Sequence, residues 1–393
     1  MGADGSAEPS LLAVPPRPNG TALVYCPGYG AGAAPPLAPA GLPVSALTER
    51  GYLLAAVPGA PGWSVTEGIH ATLSTVEALR RRRDVERCIV WGQSMGGLVA
   101  VAVAEAPDAG VDGVISLCGS VAGPVAMLNQ ALDAAWAVAV LGRWEKVDLI
   151  GEEPDAQRAA RARALLRQTQ ETELGRARIA LASAVGQLPT WSQPGTPRPT
   201  TPAARQRQQA AIFEWAVFAP RNDMRARAGG TFSWNTGVDY AAQLARSGYG
   251  DLVESLYASC RGDLLADLDR LADAPRIAAD PQAVARMHAM ITPTGRLRVP
   301  ALTVHQTGDA APVVTQAVAH RDVVAAAGRS ALLAQRFVER PGHCRELPAE
   351  LLGSIAELEH RLDTGDWPEP APGRWGPPPE HGFLRPSGPR DGR

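Results

Sequence analysis

Cys88-Ile89-Val90-Trp91-Gly92-Gln93-Ser94-Met95-Gly96-Gly97-Leu98-Val99-Ala100 is the stretch on which the reading of this chain turns. A short apolar run ends in Gly-x-Ser-x-Gly, and an Ala/Val-rich segment with helical propensity follows. That is the strand–elbow–helix context in which the pattern carries chemical meaning. Gly92 and Gly96 leave room where backbone must pass closely around a strained turn. Ser94 at the apex is pushed out above a sheet, where a histidine can reach its hydroxyl. The free N–H groups at the start of the following helix point at the same spot and suit a developing oxyanion. Without its flanks the five-residue pattern would describe an ordinary glycine-rich turn; with both flanks in place it points to an activated serine.

Working outward, Thr21-Ala22-Leu23-Val24-Tyr25-Cys26 reads as a buried strand stopped by Pro27-Gly28-Tyr29-Gly30. A second apolar run covers 51–57, and 66–83 has helical periodicity with a basic C-terminal end. Beyond the elbow, 111–118 is the next strand. Strand, helix and strand alternate at short intervals, which predicts an α/β protein: a mostly parallel sheet with helices on its faces. The rhythm stops near Gly119. From there to Arg298 the chain is helix-like and is expected to form a large lid, interrupted by a Pro/Thr-rich connection at 189–202 expected to be the lid's most protease-sensitive point. The strand pattern resumes at 299–305, followed by Gln306-Thr307-Gly308-Asp309 and a helix over 315–327. A last strand at 331–338 leads into Pro341-Gly342-His343-Cys344, and a helix at 348–362 closes the domain. The expected organisation is therefore 1–118 and 299–365 as two parts of one core, 119–298 as the inserted lid, and 366–393 as a Pro/Gly-rich tail, irregular or mobile.

Ser94, Asp309 and His343 each fall just past the C-terminal end of an expected strand, the edge of a parallel sheet where ligands bind. A serine hydroxyl is a poor nucleophile at neutral pH until a base takes its proton. His343 can be that base if a carboxylate fixes its tautomer. Asp309 is that carboxylate on this reading, although Asp at a helix start also serves as a plain cap. His305 and His320 lie within an expected strand and helix and are set aside. The oxyanion donors are expected to be the backbone N–H groups of Met95 and Tyr29. Trp63, Trp215 and Trp234 are candidate substrate contacts, with packing as the alternative.

The composition narrows the classes. Of 393 residues, 45% are hydrophobic and 20% charged, ample for a soluble core, and the net charge of −2 offers no field to recruit nucleic acid or an anionic membrane. The apolar run 121–141 is broken by Pro124, Asn129, Gln130 and Asp133, which favours a buried or lid helix over a membrane span. The cysteines at 26, 88, 118, 260 and 344 show no metal spacing, so no metal and no cofactor are expected. No basic and apolar leader is visible in 1–20, which favours a cytoplasmic chain, although a processed chain restarted at Met would look the same. Cys118 and Cys344 both fall near the expected catalytic edge; free thiols are the expectation, with a bridge that holds the His343 loop as the alternative.

Taken in order, strand-Pro27-Gly28-Tyr29-Gly30, Gly92-Gln93-Ser94-Met95-Gly96-Gly97, Thr307-Gly308-Asp309 and Pro341-Gly342-His343 resemble the α/β-hydrolase superfamily. The resemblance covers 21–118 and 299–362; the middle fits as a lid inserted after the sixth standard strand. It implies the α/β-hydrolase fold and a Ser-His-Asp triad. His343-Cys344 followed by a helix and Thr364-Gly365-Asp366-Trp367-Pro368 is also similar to the C-terminal end of tannase and feruloyl-esterase-like members. Those carry a cysteine directly before the nucleophile, where this chain has Gln93. The short N-terminus also leaves little chain for the usual first antiparallel strands. The function expected is hydrolysis of a carboxylic ester, apolar or aromatic in character, through an acyl-enzyme. An acyltransferase, cyclising thioesterase or peptidase using the same intermediate, a non-hydrolytic lyase, and a binding protein on an inactive scaffold are the alternatives. The partner is a small-molecule ester or acyl substrate; oligomeric state is left open.

Overall fold

The computed structural model describes residues 11–385 apart from 33, 145–146, 152 and 219. Residues 1–10, part of the leader reading, and 386–393, the end of the expected tail, lie outside the described residues. Apolar runs too short for helices form the strands: β1 (Leu12–Ala13), β2 (Thr21–Cys26), β3 (Leu53–Ala56), β4 (Arg87–Gln93), β5 (Gly113–Leu117), β6 (Ala301–Gly308) and β7 (Leu333–Pro341). They make one sheet in the order β1-β3-β2-β4-β5-β6-β7, with β1 antiparallel to β3 and every other pair parallel. The central strands β2 to β5 are buried on both faces because their residues alternate between two apolar clusters. Val24, Val90 and Val114 pack with α2 (Val65–Arg80) and α3 (Met95–Glu105). Leu23, Ile89 and Ile115 pack with Leu351 and Ile355 of α14 (Pro348–Thr364). The two-residue β1 has too little pattern to be visible in the sequence.

Between β5 and β6 the described residues contain nine helices and no strand: α4 (Pro124–Leu141), α5 (Asp155–Gln170), α6 (Glu173–Val185), α7 (Pro202–Val217), α8 (Asn222–Ala228), α9 (Tyr240–Arg246), α10 (Gly250–Ser259), α11 (Leu264–Asp273) and α12 (Pro281–Ile291). This insertion has its own apolar cluster, centred on Leu132, Val138, Ile179, Leu181 and Phe213. The apolar helix α4 is long enough to cross a membrane by composition, yet 83% of its window is packed inside the protein. Met287 and Ile291 of α12, with Met224 and Phe232, join the core cluster around α2 and α3 and so seat the insertion on the sheet domain.

Two segments are more ordered than the sequence suggests. In the 189–202 connection, Gln208 accepts the backbone N–H groups of Ser192 and Gln193 through Oε1, and Trp191 Nε1 donates to the Thr196 carbonyl. The tail is irregular but docked. Gly376 N–H donates to the Phe337 carbonyl on the sheet edge. Phe383 and Leu384 are buried, and Arg385 reaches 3.5 Å from Asp133 inside the insertion. Pro and Gly content forecasts irregular backbone but says nothing about anchors a few residues away.

Candidate active site

Ser94 has φ 56° and ψ −120°, a backbone conformation that costs a non-glycine residue on the order of 1–3 kcal/mol. The surroundings enforce it. Ser94 N–H donates to the Leu117 carbonyl at 3.0 Å, and its own carbonyl accepts from Gly97 N–H at 3.0 Å. Gly96 is obligatory: a Cβ there would fall on the Cys26 carbonyl and 2.7 Å from Pro27 O. The elbow is thus pressed against the end of β2, and the loop after β2 lies beside the serine, with Gly28 facing Ser94 Cβ. Among the described residues, neither the Met95 nor the Tyr29 backbone N–H has a hydrogen-bond acceptor. Both N–H groups are thus left without an acceptor.

Asp309 follows the last residue of β6 and is fully buried. His343 Nδ1 donates to Asp309 Oδ2 at 2.7 Å, and Ala311 N–H donates to Oδ1 at 2.9 Å. His305 lies farther off, with Nε2 at 3.7 Å from the same carboxylate and 3.1 Å from the Pro312 carbonyl, to which it donates. Burial lowers the His305 pKa and keeps it neutral. The acid is thus paired with His343 rather than His305. The Ser94 hydroxyl makes no hydrogen bond among the described residues, and His343 Nε2 lies 3.4 Å from Cys344 Sγ; such contacts commonly tighten only when substrate is bound.

The three tryptophans part company. Trp215, at 49% exposed, stands with its ring 5.7 Å from the His343 ring. Trp63 is buried in the core cluster, and its backbone N–H donates to Asp223 Oδ2 at 2.6 Å. Trp234 is partly buried beneath the Arg385 guanidinium, 5.5 Å from its ring. Only Trp215 is brought to the histidine; the other two have packing partners that occupy them.

Two features go beyond the leading sequence expectation, the first of them the alternative held open for Cys118 and Cys344. Cys118 and Cys344 are bonded to each other, contrary to the free thiols expected. Both have positive φ, 44° and 49°, and the bridge ties the loop after β5 to the residue following His343. Their sulfurs and a His343 nitrogen lie within 4.8 Å, but sulfurs bonded to each other offer no thiolate to a metal. In denatured, unreduced protein three free thiols are expected, Cys26, Cys88 and Cys260; a count of five would remove the bridge. Reduction should impair chemistry that depends on His343 more than it lowers the melting temperature, because the bridge closes on the His343 loop.

The second is a buried relay. Tyr25 OH donates to Gln93 Oε1 at 3.0 Å, and Gln93 Nε2 donates to Glu346 Oε2 at 3.1 Å. Gln93 thereby ties the elbow to the His343 loop, at the position where the similar C-terminal family carries a cysteine. Burial disfavours the His343 imidazolium, but the Asp309 charge, its hydrogen bond and the Glu346 charge outweigh that and hold its pKa above the ordinary 6.5. If neutral His343 is the base, activity is lost as pH falls through this raised pKa. Glu346→Gln keeps the shape and removes a charge that favours imidazolium, so the acid limb of the kcat/KM profile should move to lower pH. An unmoved limb would show that Glu346 acts only as packing.

The strand order, with a strained serine after β4 and a bonded acid and histidine after β6 and β7, defines the α/β-hydrolase fold, with no strand ahead of β1 among the described residues. The resemblance in the motifs therefore holds at the level of fold. No family model matches the chain. Over 322 residues it is 29% identical to an o-phthalyl amidase of Xanthobacter agilis, spanning 73% of this chain and 70% of that protein. Among solved structures it is similar to feruloyl esterase B from Aspergillus oryzae, at 13% identity and TM-score 0.46 over 90% of this chain and 78% of that one. It is also similar to a monoacylglycerol lipase from Paleococcus ferrophilus, at 12% identity and TM-score 0.37 over 89% and 98%.

Proposed function

We propose that this protein is a serine hydrolase that cleaves a small-molecule carboxylic ester through an acyl-enzyme on Ser94. The observation that carries this reading is the placement of a strained Ser94 just past the end of β4 and, past the ends of β6 and β7 of the same parallel sheet, of the buried Asp309 hydrogen-bonded to His343 Nδ1. His343 Nε2 takes the Ser94 proton as Oγ attacks the carbonyl carbon. The carbonyl oxygen becomes an oxyanion between the Tyr29 and Met95 N–H groups. The imidazolium then protonates the leaving alcohol, and water, activated by the same nitrogen, releases the acid. The helical insertion acts as a lid, with Trp215 over His343 as its apolar contact with substrate.

The 29% identity to an amidase favours a second reading, in which the scissile bond is an amide and His343 protonates an amine. Both readings share the acyl-enzyme. Mass spectrometry after mixing with a panel of activated esters and aryl amides should find the acyl group on Ser94, and adding amines or alcohols should show whether water is the preferred acceptor. No adduct on Ser94 with any member of the panel would overturn both.

A further inference from the structure

Arg221, between α7 and α8, is 6% exposed, and its guanidinium has no hydrogen bond or ion pair among the described residues. Its own backbone N–H donates to Asp155 Oδ1 at 3.2 Å. Arg158, buried as deeply, shows how a guanidinium is normally kept inside a protein. It donates to Asp155 Oδ1 at 2.8 Å, to the carbonyls of Asp148, Gly151 and Glu153, and to Asn222 Oδ1. Asp155 is spent on Arg158 and on the backbone N–H groups of Arg221 and Asn222. Asp223 is taken by the Trp63 N–H and by Arg227, which also pairs with Glu67. The Asp155 carboxylate therefore pairs with the Arg158 guanidinium and acts on the Arg221 guanidinium only through space. Burial, and then the Arg158 charge, push the Arg221 pKa down to about 10, so it remains a cation at neutral pH. A buried charge without a partner is costly, and a ligand of opposite charge relieves the cost.

The position of Arg221 fits that role. Six residues earlier, Trp215 stands against His343; two residues later, Asp223 holds the Trp63 backbone. Asp223 and Asp155 lie close enough to Tyr29 to add to the effect of burial in raising its phenol pKa, and Tyr29 follows the glycine that faces Ser94. Arg221 thus lies in the chain between Trp215, whose ring stands against His343, and Asp223, whose charge bears on Tyr29. We infer that Arg221 is an anion subsite that pairs with a carboxylate carried by the substrate, so that the substrate class is an ester or amide bearing a second, ionised carboxyl group. The step to substrate turnover rests on the serine-hydrolase reading; the anion site does not. A guanidinium suits this because its planar fork matches a carboxylate in two parallel hydrogen bonds.

The test has two arms. In the first, benzoate and its neutral counterpart benzamide are titrated calorimetrically into Ser94→Ala protein, with and without Arg221→Gln. Benzoate should bind more tightly than benzamide, and Arg221→Gln should weaken benzoate by about 10-fold or more while Arg221→Lys retains part of the difference. Failure of benzoate to bind, or equal binding to the Arg221→Gln protein, would overturn the anion site whether or not the protein is a hydrolase. In the second arm, nitrophenyl hemiesters of dicarboxylic acids are compared with the same esters methylated on the free carboxyl. The kcat/KM ratio should favour the free carboxylate in the native enzyme and fall about 10- to 100-fold in Arg221→Gln. An unchanged ratio overturns the proposal. Benzoate binding through Arg221 without turnover of any ester would retain the subsite and remove the hydrolase reading. Arg221→Met, which fills similar volume without charge, serves if the glutamine variant does not fold, and its melting temperature should not fall, since the charge it removes lacks a partner.

Discussion

Ser94→Ala will abolish labelling by a fluorophosphonate and remove nearly all esterase activity, and His343→Ala will cost about as much. The first expectation follows from the elbow, which holds Ser94 in a strained turn just past the end of β4 with its hydroxyl unbonded among the described residues. The second follows from the way such groups act as a unit: a serine without its base is barely more reactive than water, so either loss alone removes the same term. What survives should be the contribution of the oxyanion donors and of binding, a residual ~10³–10⁴-fold over the uncatalysed reaction. Ser94→Ala should keep the native melting temperature, because the Ser94 hydroxyl bonds nothing among the described residues, whereas His343→Ala should melt lower, because it strips the buried Asp309 carboxylate of its side-chain partner. Labelling that persists in Ser94→Ala, or an active His343→Ala, would move the nucleophile or the base elsewhere.

How much of this was legible in sequence depends on range. The strand at 21–26 and the helix starting at 315 fall where periodicity puts them, because apolar runs and their stops are local. The serine, acid and histidine were legible for the same reason, each lying a few residues past a strand end. The Asp309–His343 pair spans 34 residues, yet parallel topology alone brings it together. The Cys118–Cys344 bridge spans 226 residues; strand placement was enough to name the pair as an alternative, but no spacing rule could decide it against two free thiols. Gln93 could be read only as a missing cysteine; its bonds to Tyr25 and Glu346 exist only once β2, β4 and the His343 loop converge. Arg221 had no signal at all in a chain whose basic residues are nearly all arginine, since burial without a partner is a tertiary property. Trp63 and Trp234 were picked for aromatic character, which does not separate packing from contact with substrate.

Asp309→Asn should lower kcat by ~10²–10⁴-fold with little change in KM, and the structure says why the amide cannot compensate. Asp309 Oδ1 accepts the Ala311 N–H, and Oδ2 accepts His343 Nδ1–H. An asparagine must keep its oxygen toward Ala311, where a donor is fixed in the backbone. Its NH2 then faces His343 Nδ1 and forces that nitrogen to accept. The proton moves to Nε2, the atom that must take the Ser94 proton, so the imidazole is held in the tautomer that cannot act as base. The loss of charge adds to this, because Asp309 also stabilises the imidazolium and helps to hold the His343 pKa above its ordinary value. The measurement is single-turnover acylation of the variant with an activated ester, with histidine nitrogen chemical shifts reporting the tautomer. A slow variant with Nε2 protonated fits this account. Full activity in Asp309→Asn would transfer the role to another acid, and Glu346, whose charge already bears on His343, would be the first to test in the double variant with Glu346→Gln.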